Sequence, residues 1–346
     1  MSICEIAKKF NVSSVTVSNA LNHRKGVAEK LAKEIRAYAE AVGYRPNYMA
    51  RSLLSGRTGI VGICLCVPPS TPWYGELLCR LQLQLSEANL YAITIVLDPF
   101  RRDARDRNES WALNFFNQIK AEVVLLGPCD RSRYQVVSQE YLATEKLIIF
   151  DSVDLLPCSH LMLDLVGGTQ QAMQYLCEMG HRRIGYLGLN AFDLDNPSPY
   201  TRFSAYRSFL ESRNITFDPA VVIPANGSVP TPETGEFLEK VLRTEQRPTA
   251  LLCHNDNYAM LALKVADRLG LRVPEQLSLI GFDDQTGAWL TTPELTTVRF
   301  NLENYVAEIV RMTTAIVGKN SSGRYSYCEK AELVVRGSVA ENRDRF

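Results

Sequence analysis

Ser2-Ile3-Cys4-Glu5-Ile6-Ala7-Lys8-Lys9-Phe10-Asn11-Val12-Ser13-Ser14-Val15-Thr16-Val17-Ser18-Asn19-Ala20-Leu21-Asn22 holds two helix starts eleven positions apart. Ser2 and Glu5 have the spacing of a capping box, in which the hydroxyl accepts from an orphan amide and the carboxylate accepts from the cap amide in return. Ile3, Ile6, Ala7 and Phe10 recur at helical spacing, and Lys8 and Lys9 fall outside that apolar stripe. Asn11 tolerates positive φ and ends the helix, Val12 packs back on it, and Ser13 is a natural N-cap for a second helix. Val17, Ala20 and Leu21 form the inner face of that helix, and Ser14, Val15, Ser18 and Asn19 the outer one. A short, uncharged polar face suits entry into a major groove, where it meets base edges. An ordinary helical hairpin with a solvated face has the same spacing.

Charge favours the groove. Residues 1–58 carry ten Lys and Arg side chains against four Glu, a net charge of about +6. The 346-residue chain as a whole balances 38 basic against 38 acidic side chains, so the remainder carries about −6. A basic head neutralises phosphates, and an acidic body keeps the rest of the molecule from coating a polyanion.

The chain resembles the LacI family of bacterial transcriptional regulators over essentially its whole length. In the head the resemblance is carried by Val12-Ser13-Ser14-Val15-Thr16-Val17-Ser18-Asn19-Ala20-Leu21-Asn22, Val42-Gly43-Tyr44-Arg45-Pro46-Asn47 and Ala50-Arg51-Ser52-Leu53. It implies that Ser14, Val15 and Asn19 face bases, while Ser13, Thr16, Ser18 and Asn22 hold phosphates and set register. Tyr44, Asn47, Ala50 and Arg51 are carried over as DNA contacts from the other two motifs. Residues 47–55 would be the family's hinge helix, ordered when two chains sit side by side on an operator, with Leu53 wedged into the minor groove. The residues agree: Pro46 can open a helix, Met49, Ala50, Leu53 and Leu54 share a stripe, and Gly56 stops it. About eight residues are too few for a helix to stand alone, so it needs a partner or DNA. One stretch departs from the family: Val27-Ala28-Glu29-Lys30-Leu31 lacks the usual serine and threonine, leaving the third helix without its cap.

The length is too great for one core, and no apolar run is long enough to span a bilayer. The start lacks the continuous apolar core of a secretory signal, and nine cysteines without a Cys-x-x-Cys pair read as reduced thiols. The expected location is the cytoplasm. From residue 59 onward, strand candidates at 59–67, 92–97, 123–126, 147–150, 160–163, 183–187, 250–253, 277–280, 296–300 and 332–335 alternate with helix candidates at 73–88, 169–179, 201–213, 234–242, 257–269 and 302–316. That rhythm implies parallel sheets covered on both faces, with too many strands for one open sheet.

The expected fold is therefore an all-α helix-turn-helix head followed by an α/β body. The resemblance makes that body periplasmic-binding-protein-like, with two lobes, two parallel sheets and three crossovers. The expected division is a head at 1–45, a hinge and linker at 46–58, a first lobe at 59–157 plus 287–317, and a second at 158–286 plus 318–346. Crossings are placed near Pro157, Thr286 and Gly318. Ligands of such sheets bind at the carboxyl ends of strands, so the cleft between lobes is the expected pocket.

Six residues are candidates for it. Trp73 and Tyr74 follow the first strand, where the family packs an aromatic pair on the effector, although at least one of them could be lobe core. Asp151 ends the fourth strand, and Arg202 matches the arginine that many members fork onto an effector hydroxyl or carboxylate. Asn255 and Asp283 follow strands of the second lobe, while Asp256 is read as a helix cap and Asp284 as a turn brace. His181 reads as a structural hydrogen-bonder, and Arg101–Arg107 as a solvated loop.

No nucleophile paired with a base, no nucleotide loop and no metal motif stands out, so neither catalysis nor a cofactor is expected. The reading is a ligand-responsive regulator, a repressor of a carbohydrate-utilisation operon that binds a palindromic operator as a homodimer and is released by a sugar-like effector. The family's tetramer-forming leucine tail is missing after Val334-Val335-Arg336-Gly337-Ser338, which favours a dimer. The alternatives are a sugar-binding protein or enzyme on the same body, or a corepressor-dependent regulator of nucleoside metabolism.

Overall fold

The computed structural model describes residues 2–21, 25–44, 57–67, 69, 71–97, 108–129, 137, 144–189, 201–225, 229–319 and 323–342. The chain divides into two compact units, Met1–Thr58 and Gly59–Phe346.

The first unit contains three helices, α1 (Ile3–Phe10), α2 (Ser14–Leu21) and α3 (Glu29–Ala41). The capping box is present: the Glu5 amide donates to Ser2 Oγ at 3.3 Å and the Ser2 amide donates to Glu5 Oε2 at 2.6 Å. That bond, with the nearby N-terminal amine, holds the Glu5 carboxyl below its usual range. Asn11 ends α1 at φ 50°, and Ser13 caps α2 by accepting from the Thr16 amide at 3.0 Å. Ala28 stands at the start of α3 without a side-chain cap, as the departure from the family motif implies. Ile6, Ala7, Val17, Ala20, Ala32, Ile35 and Ala39 form the core, with Phe10 packed edge-on against Tyr38 at 5.6 Å. Arg36 on α3 donates to the Ala20 carbonyl at 2.9 Å, fastening α3 to the carboxyl end of α2.

The second unit is built on two six-stranded sheets. The first runs β11-β5-β4-β3-β1-β2, from β1 (Ile60–Leu65), β2 (Tyr91–Val96), β3 (Val123–Gly127), β4 (Leu147–Ile149), β5 (Ser159–Leu163) and β11 (Ser326–Glu329). The second runs β12-β10-β9-β8-β6-β7, from β6 (Ile184–Leu189), β7 (Val222–Pro224), β8 (Ala250–Cys253), β9 (Ser278–Phe282), β10 (Thr296–Phe300) and β12 (Ala331–Val334). Every described pairing is parallel except β10 with β12. β1, β3, β4, β8 and β9 are buried along their whole length, the pattern of strands covered on both faces. Cys64 and Cys66 are buried in and beside β1, and all nine cysteines are free thiols.

The helices that matter for the site are α4 (Pro72–Glu87), α6 (Leu165–Glu178), α7 (Arg202–Ser212), α9 (Asp256–Arg268), α10 (Thr286–Leu290) and α11 (Leu302–Val317); α5 (Glu109–Gln118) and α8 (Pro232–Leu242) are the other α-helices among the described residues of this unit. None of the described helices is long and apolar enough to cross a membrane.

All three crossings differ from expectation. Pro157 was the anticipated first break, but β5 continues the first sheet beside β4, with Ile149 opposite His160. The chain leaves that lobe at Asp164, whose side chain caps α6. Thr286 was the anticipated second, but β10 pairs with β9, and the return comes at Asn301, the cap of α11, which packs on α4. Gly318 was the anticipated third, but β11 joins β5 while β12 joins β10, so the crossing is Lys330. Proline and glycine are local breakers, whereas lobe membership is set by strand pairing, which no local signal carries.

His181 is structural, as its motif suggests. Its Nδ1 lies 2.9 Å from Thr249 Oγ1, and its Nε2 lies 3.0 Å from Ser278 Oγ and 3.1 Å from the Ala340 carbonyl.

Candidate functional site

The expected DNA-reading residues on α2 divide by exposure. Val17 and Ala20 are buried, while Ser13, Ser14 and Val15 are exposed, Val15 by 65 %. Thr16, Ser18 and Asn19 are half-buried along the edges of that face. The Ser13 hydroxyl already serves the helix, accepting from the Thr16 amide and lying 2.9 Å from Thr16 Oγ1. Tyr44 packs against the head core, and desolvation raises its phenol pKa. Asn22, Asn47, Ala50, Arg51 and Leu53, together with the hinge stretch at 47–55, lie outside the described residues.

In the body, the effector candidates all stand just beyond strand carboxyl ends or in the first turn of a helix. Trp73 and Tyr74 open α4 after β1, and Asp151 lies two residues beyond β4. Arg202 begins α7, Asn255 follows β8, and Asp283 follows β9. Both aspartates sit in left-handed backbone, Asp151 at φ 48° and Asp283 at φ 95°. Such a conformation favours glycine, and aspartate tolerates it better than most, so the turns that aim these carboxylates are specifically built.

Tyr305 on α11 fixes the first turn: the Asp151 amide donates to its hydroxyl oxygen at 2.6 Å. The second is fixed by the Asp283 amide, which donates to the Val298 carbonyl at 2.8 Å. Tyr74 then donates its phenol proton to Asp151 Oδ2 within the first lobe. In the second lobe Arg202 Nη2 donates to Asp283 Oδ1 at 3.3 Å, and its guanidinium lies 4.7 Å over the Phe282 ring.

The two pairs are close enough to perturb each other. Burial raises the Asp151 carboxyl, opposed by the Tyr74 bond and the Arg202 charge and reinforced by Asp283. Burial likewise raises Asp283, against the pull of Arg202 and Gln285. Tyr74 is driven well above its usual range, by burial first and Asp151 next, and stays a phenol. Tyr74, Asp151, Arg202 and Asp283 thus form one polar cluster contributed by both lobes.

One candidate takes the core role left open for it, and another behaves differently from expectation. Trp73 is buried, its ring edge-on to Phe300 at 6.1 Å, so it is core between the lobes; its indole N–H has no partner among the described residues. Asn255 is the cap of α9, accepting from the Tyr258 amide at 3.2 Å, a role expected of Asp256. Asp256 instead braces the floor of the site: it accepts from Thr297 Oγ1 at 2.6 Å and from the Gln285 amide at 2.7 Å. Asp284 braces its turn through Arg336 at 2.7 Å, as the sequence suggests.

Sequence reasoning overlooked His254 and Tyr305. His254 lies 3.2 Å from the Tyr186 hydroxyl and 3.5 Å from Arg202 Nη1, and burial with the adjacent cation pushes its pKa down to about 3. Its position directly after β8 was the available signal. Tyr305 carried none, being the single aromatic on an amphipathic helix, at a position that reads simply as core.

The chain thus combines a three-helix unit of helix-turn-helix form with a two-lobed α/β body whose strand ends carry a polar cluster. Residues 2–47 match the description "Bacterial regulatory proteins, lacI family", and residues 173–339 match "Periplasmic binding protein-like domain". The regulator DegA of Bacillus subtilis (strain 168) is 27 % identical over 346 residues, covering 98 % of each chain. The repressor PurR of Haemophilus influenzae is 25 % identical, covering 97 % of this chain and 98 % of its own. The Lac repressor dimer bound to operator and the anti-inducer ONPF shares the fold, with a TM-score of 0.84 and 19 % identity over 98 % of this chain and 99 % of the other. This chain therefore carries a lacI-family helix-turn-helix domain followed by a periplasmic-binding-protein-like domain, and the relatives that match it along its length are transcriptional regulators and repressors.

Proposed function

We propose that the chain represses a carbohydrate-utilisation operon, binding a palindromic operator as a homodimer and releasing it when a sugar-like effector enters the cleft. The observation that carries this reading is the meeting of Tyr74–Asp151 from one lobe with Arg202–Asp283 from the other. Those groups supply acceptors and donors in the density that a hydroxylated ligand requires. Trp73 and Asn255, both buried beside the cluster, would complete the effector site.

In the head, Ser14, Val15 and Asn19 would meet base edges, and Ser13, Thr16, Ser18 and Asn22 would hold phosphates. Tyr44, Asn47, Ala50, Arg51 and Leu53 would complete the contact through the hinge at 46–58, with the reading head at 1–45. The operator places the site of action in the cytoplasm. A dimer suits the apolar surface of the first lobe: Leu83 on α4 is 66 % exposed, beside Tyr91 and Val96 on the edge strand β2. Ligand and DNA are then coupled through the angle between lobes, each shifting the other's affinity by the same factor.

Selecting duplexes from a random pool with the full chain, then titrating sugars against the retained operator, tests this reading. Sugar-driven release supports it. Tightening by a nucleobase or nucleoside would favour the second reading, a corepressor-dependent regulator of nucleoside metabolism, which the PurR relative makes worth including. Leu53→Gly should weaken operator binding sharply and leave effector affinity alone; intact operator binding would remove the hinge role.

A further inference from the structure

The cleft carries a charge imbalance that constrains its ligand. Among the described residues of the cluster, Asp151 and Asp283 face a single guanidinium, Arg202, and a third carboxylate, Asp256, has its own ionisation disfavoured by burial first and by Asp283 next. Tyr74 and Gln285 are neutral partners, and His254 is held neutral by burial beside Arg202.

Arg202 is also largely committed. Its Nη2 serves Asp283, its Nη1 faces His254 Nε2, and its plane lies over Phe282. Each terminal nitrogen of the guanidinium thus already has a protein partner, with which an anion gripped by two parallel bonds would compete. Among the described residues, Arg202 Nε is buried without a partner, as is Trp73 Nε1. Each is a single N–H, suited to one ether, hydroxyl or carbonyl oxygen. The carboxylates, by contrast, keep unused acceptor capacity, since each has about four lone-pair sites.

We infer that this cleft takes an uncharged or cationic ligand bearing at least two hydroxyl or amine donors, and rejects phosphorylated or carboxylated ones. The donors bridge Asp151 on one lobe and Asp283 on the other, and an oxygen of the ligand accepts from Arg202 Nε. Among the described residues of the cluster, an anion meets two carboxylates against the single guanidinium of Arg202. The inference rests on the cleft being the effector site.

Matched probes test it with the full chain, by thermal shift and calorimetry: glucose, glucosamine and glucose 6-phosphate; galactose, galactosamine and galactose 1-phosphate; adenosine and AMP. An uncharged or aminated probe should raise the melting temperature and bind at least about tenfold tighter than its phosphorylated counterpart. Asp283→Asn, which removes one negative charge, should shrink that ratio. A phosphorylated probe that binds more tightly than its parent overturns the inference, as does a panel in which no uncharged or aminated probe binds. If such an anion loses its binding in Arg202→Ala, the cleft is still the effector site and only the charge rule has failed. If a probe binds Arg202→Ala and Asp283→Asn as tightly as the native chain, the cleft assignment itself fails.

Discussion

Replacing Arg202 with methionine isolates the electrostatic work of the cleft. The native side chain lies 3.3 Å from Asp283 Oδ1, with the two side chains 14 % and 10 % exposed, and 4.7 Å over the Phe282 ring. Methionine keeps most of the contact with that ring and removes the charge. Breaking a buried pair by deleting one partner costs about 3–5 kcal/mol. Asp283 limits the loss, because burial already raises its pKa and a proton can replace the missing cation. The expected destabilisation is roughly 2–4 kcal/mol at pH 7.5 and clearly less at pH 5, where that proton is cheaper to bind. With a urea slope of about 3 kcal/mol/M, the midpoint falls by roughly 1 M at the higher pH. Adding Asp283→Asn to Arg202→Met removes the orphaned carboxylate and should recover ~1–3 kcal/mol of that loss. Urea unfolding of the native chain, both single variants and the double variant, followed by circular dichroism at both pH values, measures the cycle. Equal losses at the two pH values with strictly additive effects would refute the reasoning and leave packing on Phe282 as the contribution of Arg202.

Other outcomes follow from the same geometry. Ser13→Ala removes the acceptor for the Thr16 amide and should cost the head about 1 kcal/mol, lowering the melting temperature of its transition by roughly 4–8 °C; an unchanged transition would deny the cap. His254 has its pKa lowered from 6.5 to about 3, so between those values the unfolded chain binds a proton that the folded chain does not. Its contribution is complete above pH 6.5 and is lost as pH falls, by ~1.4 kcal/mol at pH 5.5. The raised Asp151, Asp256 and Asp283 oppose that trend, so the measurement is the difference in pH slope between the native chain and His254→Gln. Operator affinity should fall about a thousandfold or more between 50 and 200 mM salt if a dimer of these basic heads neutralises six or more phosphates; a flat salt response would argue against the head as reader.

The head was legible nearly residue by residue because its signals are local. A cap, an asparagine in left-handed backbone and a second cap each act within four positions, and all three stand where the sequence puts them. Body strands were legible from apolar runs, except β7 and β11. β7 has only three residues, and β11 (Ser-Tyr-Cys-Glu) has a mixed pattern that gains its place by pairing with β5. The cleft aspartates could be found because a strand end is a local feature. The roles of Asn255 and Asp256 were exchanged because both can cap a helix, and a one-residue shift in the start of α9 decides between them. Tyr305 lies 154 positions from the amide it supports, a separation across which sequence patterns are silent.

Lys330 is a single residue between β11, an edge strand of one sheet, and β12, an edge strand of the other. Its ammonium lies 3.1 Å from Asp164, and the Asp164 amide donates to the Glu329 carbonyl at 2.9 Å, so two of the three crossings are bolted together at this point. With both neighbouring strands hydrogen-bonded into rigid sheets, any swivel of the lobes that keeps those ladders intact must pass through the two backbone torsions of Lys330 on this strand. The third connection, at Asn301, joins a strand to a helix cap some thirty residues earlier in the chain. Phe300, just before Asn301, pairs with Ala331, just after Lys330, so the body is articulated like a door on three closely set pins, and its axis of rotation is defined by backbone connectivity before any ligand arrives.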